Sequence, residues 1–544
     1  MRVIGIHDGH NASACLLENG KISYCIQEER LTNQKNFFGF PKLAIKKILE
    51  LSCLSISDID FIAMASIHSP APFDVLERYK SNARSHRGYL QHIAMKTPLY
   101  SYHKSKRRKE REKDLLEIGV NLSNVVFVDH HLCHASAAYF GAPWREEKTL
   151  VLTCDGDGDG LCSTVYNGED SCLTKIAETK AGNSLGNIYS KTTFMLGLVP
   201  WEHEWKIMGM APYSPLKGVT KSYEQFEKYL EVPQESLIFK RRIFEPTSLI
   251  YKRLRKDLEY HRFDWISGGV QQMTEELLVS WVTNAIEKTG AKKVALSGGV
   301  FMNVKANKRI MEIPEVEDLF VFPSCGDESN SIGAAFSVYQ DKMNESGIEQ
   351  DISPLQDIYY GPSFSDKDIE EALDNSTLKI NVEKRPDIER DIASTLCDGG
   401  VVARCAGRME FGARALGNRS ILADPSNQDC IRIINMMVKK RDFWMPFAPV
   451  MPVDEQHNYI INPKNIMSPY MMLSFDTTDK RNEFMSGVHN ADLTARAQIL
   501  DESYNPEYYR IIREFQGLTD RAVLLNTSFN LHGYPVVYGP SEAL

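Results

Sequence analysis

Three histidines fall within five residues, at His130, His131 and His134, in a chain of 544 residues that holds only 14 in all. The surrounding stretch reads Val128-Asp129-His130-His131-Leu132-Cys133-His134-Ala135-Ser136-Ala137-Ala138-Tyr139. An apolar run (NVVFV) precedes it and small residues follow, so a strand should give way to a helix here, with Asp129 as its N-cap. Residues four apart share one helical face, so His130 and His134 present their imidazoles together, as a metal ion requires. His131 points elsewhere and is expected to orient a ligand or bind substrate. Imidazole suits iron or zinc, and two imidazoles leave coordination positions to fill. The candidates are Asp155, which opens an Asp-Gly run (CDGDGDG), and Asp327, at the end of a strand in PSCGD; Asp157 and Asp159 are alternatives. The run lacks the spacing and closing Glu of an EF-hand, which argues against a calcium loop.

Two further groups of residues suit anions. Ser297-Gly298-Gly299, followed by Asn303 and Asn307, comes directly after an apolar strand, where glycines let backbone N–H groups approach a phosphate or nucleoside. Lys206–Pro212 (KIMGMAP) and the 182–189 loop (GNSLGNIY) add a lysine and more glycines. Towards the carboxyl terminus, Arg408, Arg414 and Arg419 lie among glycines in GRMEFGARALGNRS, with Lys439-Lys440-Arg441 and the NTSFN stretch containing Asn526 and Ser528 further on. Guanidinium forks with Asn and Ser donors form a cage for an oxyanion such as phosphate.

The elements that must position these residues alternate between strand and helix, so the chain is α/β. Residues 3–26 and 149–176 repeat one pattern: strand, Asp-Gly (Asp8-Gly9, Asp155-Gly156), strand, Asn-Gly turn (Asn19-Gly20, Asn167-Gly168), strand. Such a repeat suggests the duplicated fold shared by actin, Hsp70 and the sugar kinases; two unrelated hairpins are the alternative. Helices are expected over 41–54 and 269–288, strands over 293–296 and 318–323, and a boundary near 351–362. The length calls for more than one domain. A net charge of −9 argues against a nucleic-acid partner held by phosphate contacts. The basic run Lys104–Lys113 is interrupted by Glu110 and Glu112, and reads as a solvated helical face. Eleven cysteines without a CxxC pair read as reduced thiols of a cytoplasmic protein. Neither a signal h-region nor a membrane-length apolar span is present, so a soluble protein without a membrane partner is expected.

Taken in order, the HNASA turn after Gly9, Glu28-Glu29-Arg30, HHLCHASAAY, KIMGMAPY, SGGVFMN, GDESNSIGAA, GRMEFGARALGNRSILADP and NTSFN resemble the NodU/CmcH family of O-carbamoyltransferases over nearly the whole chain. The resemblance implies an actin-like domain over 1–355, similar to threonylcarbamoyl transferase, and a YrdC-like domain over 356–544. It implies that the YrdC-like domain makes carbamoyl adenylate from carbamoyl phosphate and ATP (with Mg), and that the first domain passes the carbamoyl group to a hydroxyl of a small-molecule acceptor such as a sugar or natural product. The ligands of an Fe(II) or other divalent ion would be His130, His134, Asp155 and Asp327. Nucleotide contacts would include Gly156, Lys206, Gly209, Ser297, Gly298, Gly299 and Asn303. The carbamoyl phosphate site would include Arg414, as a catalytic group, with Arg408, Arg419, Arg441, Asn526 and Ser528. His10 is the candidate for contact with the acceptor hydroxyl, as general base; a turn-stabilising hydrogen bond is its alternative.

Two departures from the family pattern stand out. Met445 occupies the place of an arginine usual in the family; if that arginine binds phosphate, either Lys439, Lys440 or Arg441 compensates or the first half-reaction is weakened, and the chain ends at Leu544, where family members usually continue. Competing readings are a kinase or ATPase of the actin-like superfold, a tRNA threonylcarbamoyl-type transferase, and a non-catalytic binding protein. The HxxxH pair and the arginine-rich second domain disfavour the first. The acidic balance and the carboxyl-terminal position of that domain disfavour the second.

Overall fold

The alternating strands and helices resolve into two compact units in the computed structural model, which describes residues 1–84, 98–348, 352–439, 442 and 444–544. The first unit comprises Met1–Glu28 and Asn36–Leu355; the second comprises Glu29–Lys35 and Gln356–Leu544.

The first unit contains two five-stranded sheets. One is built from β1 (Arg2–His7), β2 (Ser13–Glu18), β3 (Lys21–Gln27), β4 (Phe61–Ala65) and β5 (Val125–Val128), in the order β3-β2-β1-β4-β5. The other is built from β6 (Thr149–Gly158), β7 (Leu161–Glu169), β8 (Cys172–Lys180), β9 (Lys293–Ser297) and β10 (Asp318–Val321), in the order β8-β7-β6-β9-β10. In both, three antiparallel strands are extended by two strands parallel to the first. Equal order and equal sense make the two halves a duplication.

The turns differ between the halves. Asn19 and Gly20 adopt φ of 49° and 80°, as a tight hairpin turn requires. In the second half the expected turns are displaced. Asp155-Gly156 lies within β6, beside a register shift between Cys154 and Gly158, and the chain reverses at Asp159-Gly160. Asn167-Gly168 is paired inside β7, opposite Leu150 and Thr149, and the next reversal is at Asp170-Ser171. Gly168 meets a packing need there: a Cβ would lie 2.5 Å from the Tyr139 ring.

Helices of this unit include α1 (Lys42–Ser52), α2 (Val75–Arg84), α3 (Pro98–Glu117), α4 (His130–Gly141), α5 (Leu185–Met195), α6 (Glu204–Met210), α7 (Phe263–Thr289) and α8 (Asn330–Ser346). The small residues of HASAA and NSIGAA bring α4 and α8 into backbone contact. A Cβ on Gly333 would stand 1.7 Å from the Cys133 carbonyl oxygen. The basic run on α3 is largely at the surface, as expected, except that Arg111 turns inward: it is 1% exposed and reaches the fully buried Asp8 through Nε (2.8 Å) and Nη2 (2.9 Å). The periodicity of α3 turns one edge of a charged helix inward, because Asp8 supplies a counter-charge that the sequence order does not reveal.

In the second unit, β11 (Val401–Cys405), β12 (Arg419–Ala423), β13 (Ala448–Pro452), β14 (Gln498–Leu500) and β15 (Leu524–Ser528) form one sheet in the order β11-β12-β15-β13-β14. Alternation sends Leu422, Val450 and Leu524 towards α9 (Ile388–Cys397) and α10 (Pro506–Thr519), and Ile421 and Leu525 towards Cys430, Ile434 and Phe447. Arg30, from the short amino-terminal segment of this unit, donates to the Gly412 carbonyl at 2.6 Å. All eleven cysteines are free. Among the described residues, no helix is long and apolar enough to cross a membrane.

Candidate metal centre

Helix α4 starts where β5 ends, and Asp129 caps it by accepting the Leu132 N–H at 2.9 Å. Its first turn puts His130 and His134 on one face, with ring centroids 4.8 Å apart. Asp155, in β6, and Asp327, at the turn before α8, close the group. Asp155 Oδ2 lies 3.3 Å from Nε2 of both histidines, and Asp327 Oδ1 lies 3.6 Å from both. One donor atom from each of the four residues fits within a 4.8 Å span.

The Nδ1 atoms are committed elsewhere, so both rings turn Nε2 towards the cluster, where His134 Nε2 also meets the Asn330 amide nitrogen at 3.3 Å. His130 Nδ1 pairs with the Ser66 hydroxyl (2.9 Å), and His134 Nδ1 with the Ser297 hydroxyl (3.2 Å). Such outer partners fix ring orientation in metal sites. Gly158 makes room for the first ring, since a Cβ there would lie 2.0 Å from His130 Cδ2. The imidazoles are buried, whereas the Asp155 and Asp327 side chains are partly exposed, so the cluster meets solvent on its carboxylate side.

Burial opposes charge on His130, yet Asp327 and Asp155 outweigh it and push its pKa up to about 9. Burial likewise opposes ionisation of Asp155, but His130 and His134 hold its carboxyl well below the usual carboxylate range. The carboxylates therefore demand positive charge between the imidazoles, which a proton or a divalent cation can supply. A donor set of two imidazoles and two carboxylates fits iron or zinc.

His131 takes a different place from the one expected. It is fully buried, bonded through Nδ1 to the Thr153 hydroxyl (2.7 Å), and burial helped by His130 and His134 lowers its pKa to about 3. A neutral imidazole bonded to Thr153 packs the helix against β6. Asp159 is also spent on structure, accepting from the backbone N–H groups of Ile67, His68 and His130 at 2.7–2.9 Å. Asp157 stands outside the four-donor cluster.

Around the first Asp-Gly turn the structure adds a residue not singled out from the sequence. His7 Nε2 lies 3.9 Å from Asp327 Oδ2 and 3.1 Å from the His10 carbonyl oxygen. A signal was present in Gly9, where a Cβ would come within 2.7 Å of His7 Nε2. His10 is half-buried, edge-on to Phe38 and Trp201, and burial lowers its pKa, so its imidazole is neutral near pH 7. Asp8 is turned away from the cluster under Arg107 (3.1 Å) and Arg111. The two Asp-Gly segments have therefore diverged: Asp155 faces the histidines, while Asp8 anchors α3.

The glycine-rich segments converge on Asp155. Gly298 has φ 104° and would clash with the Cys154 carbonyl if it carried a Cβ, and a Cβ on Gly299 would lie 3.1 Å from Asp155 Oδ1. Gly156 donates to Asp155 Oδ1 (2.7 Å) and its carbonyl accepts from Asn187 (3.0 Å); the Cβ direction of Gly156 is open. Asn303 is occupied as the N-cap of the 304–311 helix and by Gln271 on both sides of its amide. Lys206 and Gly209 lie on α6, with the Lys206 ammonium 5.6 Å from the Trp205 ring centroid.

In the second unit the arginines divide by role. Arg419 is fully buried and donates to the carbonyls of Ala406, Asn418 and Tyr538, so it braces backbone. Arg408 donates to the carbonyls of Tyr360 and Gly361. Half-buried Arg414 sits in the loop between Gly412 and Gly417, both at positive φ. Buried Glu410 holds that loop through the N–H groups of Leu416 (2.9 Å) and Arg419 (3.0 Å), and Asn526 holds it through the Ala415 carbonyl (3.0 Å). Ser528 accepts from the Lys439 ammonium at 3.0 Å, which also bonds Asn530. Arg441, like Lys440, lies outside the described residues.

Two family models match the chain: the carbamoyltransferase N-terminus over residues 2–336 and the carbamoyltransferase C-terminus over residues 393–544. Among solved structures, component A of (R)-2-hydroxyglutaryl-CoA dehydratase from Acidaminococcus fermentans aligns with 63% of this chain and 98% of its own, at 15% identity and a TM-score of 0.35. An uncharacterized protein of Synechocystis sp. is 28% identical, over 98% of this chain and 92% of its own length. Nodulation protein NolNO of Sinorhizobium fredii is 30% identical, over 98% of this chain and 76% of its own. With a matching model over more than half its length and a relative of this similarity, the chain belongs to the carbamoyltransferase family and is a carbamoyltransferase.

Proposed function

We propose that this carbamoyltransferase is ATP-dependent and works in two steps, with a small-molecule hydroxyl as acceptor. The observation that carries the reading is the cluster of His130, His134, Asp155 and Asp327. In the first step, carbamoyl phosphate, ATP and one water give carbamoyl adenylate, pyrophosphate and inorganic phosphate. We assign this step to the second unit, read as YrdC-like. Arg414 and Lys439 supply positive charge for the phosphate oxygens, with Ser528 beside Lys439. Lys439 also answers the replacement at Met445, because it brings a cation to the NTSFN strand.

In the second step the acceptor oxygen attacks the carbamoyl carbon, AMP leaves, and the hydroxyl proton passes to a base. A divalent ion, Fe(II) in this reading, would be held by His130, His134, Asp155 and Asp327, and would polarise the carbonyl oxygen as a Lewis acid. His10 is neutral and can take the proton, while His7 holds the His10 backbone in place. The Ser297-Gly298-Gly299 turn and Gly156 border Asp155 and provide close backbone approach for the nucleotide. ATP turnover in the presence of carbamoyl phosphate tests this reading. Pyrophosphate should appear only when carbamoyl phosphate is present; release of ADP, or pyrophosphate formation indifferent to carbamoyl phosphate, would refute it.

A further inference from the structure

Lys191 takes no part in the chemistry above, yet it is a buried cation near the metal centre. It lies on α5, one turn beyond Asn187, whose amide reaches the Gly156 carbonyl at 3.0 Å. That helix face therefore adjoins the segment bearing Asp155. Lys191 is 7% exposed, and among the described residues neither a carboxylate nor a hydrogen-bond acceptor meets its ammonium. The Tyr79 ring meets it instead, 3.6 Å from Nζ to centroid. Removing an ammonium from water is costly, and a phenol face returns only part of that cost. Burial, with Arg78 adding to it, pulls the Lys191 pKa down to about 7.

The surroundings continue from this lysine to the cluster. Tyr79 bonds Ser190 (2.9 Å) and stands edge-on to Trp201, which stands edge-on to His10. Phe73 and Phe38 extend this aromatic wall, and the Arg78 guanidinium lies 4.2 Å over Phe73. Two acids are near the wall, Glu204 acting on Tyr79 and Asp157 acting on Arg78. Burial raises Glu204 to about 7 and Asp157 to about 6, and neither is bonded to Lys191. An uncompensated cation beside aromatic edges suits a ligand that brings both a ring and a negative charge.

We propose that Lys191 binds an anionic group, phosphate or carboxylate, of a ligand lying along the Tyr79–Trp201 edge beside the metal centre. This rests on the reading of that centre as the place of carbamoyl transfer. The group belongs either to the acceptor or to the adenylate, and the experiment separates the two. The full-length protein is treated with an amine-acylating reagent, and modification of Lys191 is followed by peptide mass spectrometry. Inorganic phosphate at about ten times its Kd should slow this modification about ten-fold, with exposed Lys367 unaffected. Protection by AMP and not by glucose 6-phosphate would assign the group to the adenylate; the reverse would assign it to the acceptor. Unchanged labelling in phosphate, or equal protection by adenosine and glucose, would overturn the proposal.

A second measurement guards against a lysine too buried to label. At pH 6, below its pKa of about 7, Lys191 is charged, so Lys191→Met should raise the melting temperature of the unliganded protein by removing an uncompensated charge, whereas a structural lysine would lower it. A lowered melting temperature would also overturn the proposal. Neither measurement needs ATP or turnover, so their failure is distinct from failure of the carbamoyl-transfer reading.

Discussion

Single residues decide whether the centre can hold a cation. His134 is wholly buried, with Nε2 near both carboxylates. His134→Ala should lose stoichiometric divalent metal, measured by elemental analysis of protein purified without oxygen; full occupancy would remove His134 from the ligand set. Ser66 acts one bond further out, on His130 Nδ1. Ser66→Ala should weaken metal affinity by about 10–100-fold while the far-ultraviolet spectrum stays the same; unchanged affinity would mean that packing alone aligns His130. Arg111 ties both regions together, since it grips Asp8 and also donates to the Ser66 and Ala65 carbonyls at 2.8 Å. Arg111→Met leaves Asp8 buried with Arg107 alone, and should cost on the order of 3 kcal/mol in chemical denaturation. A loss below about 1 kcal/mol, the size of an exposed ion pair, would show that water reaches Asp8. The His130–His134 spacing was legible in the sequence because it depends on helical period alone. Arg111 and His7 were not, because their partners are set by how β1, β4 and α3 meet.

At the scale of elements, local pattern was read well where one element settled it. The strand that opens the 3–26 repeat and the 42–52 helix within the expected 41–54 both follow from short-range signals. Reading failed where a neighbour overruled the local signal. Asn167-Gly168 has good turn chemistry, but β6 pairs with it and Tyr139 needs the absent side chain. The same logic makes Gly158 a sensitive position. Gly158→Ala would drive a methyl into the His130 ring, so metal affinity should fall at least about ten-fold, as when an orienting partner is lost. Retained affinity would mean that β6 can shift to admit it. Asp129 caps α4, the element carrying both ligands. Asp129→Ala should cost about 1 kcal/mol of stability, read by thermal unfolding.

For the chain as a whole, we propose a division of labour between the two units: activation by the arginine-bearing loop of the second, and transfer at the histidine cluster of the first. The duplication of the first unit was visible as a repeated strand–turn order, since each half carries its own period-two signal. The lending of Glu29–Lys35 to the second unit was not visible, because Glu28 caps α1 through Leu43 and Ala44 while Arg30, two residues later, bonds Gly412. The most direct test of the division is carbamoyl adenylate formation from ATP and carbamoyl phosphate, followed by mass spectrometry in the parent protein, His130→Ala and Arg414→Ala. The adenylate should form in the parent and in His130→Ala, and should be absent from Arg414→Ala. Its loss from His130→Ala together with its persistence in Arg414→Ala would contradict the account.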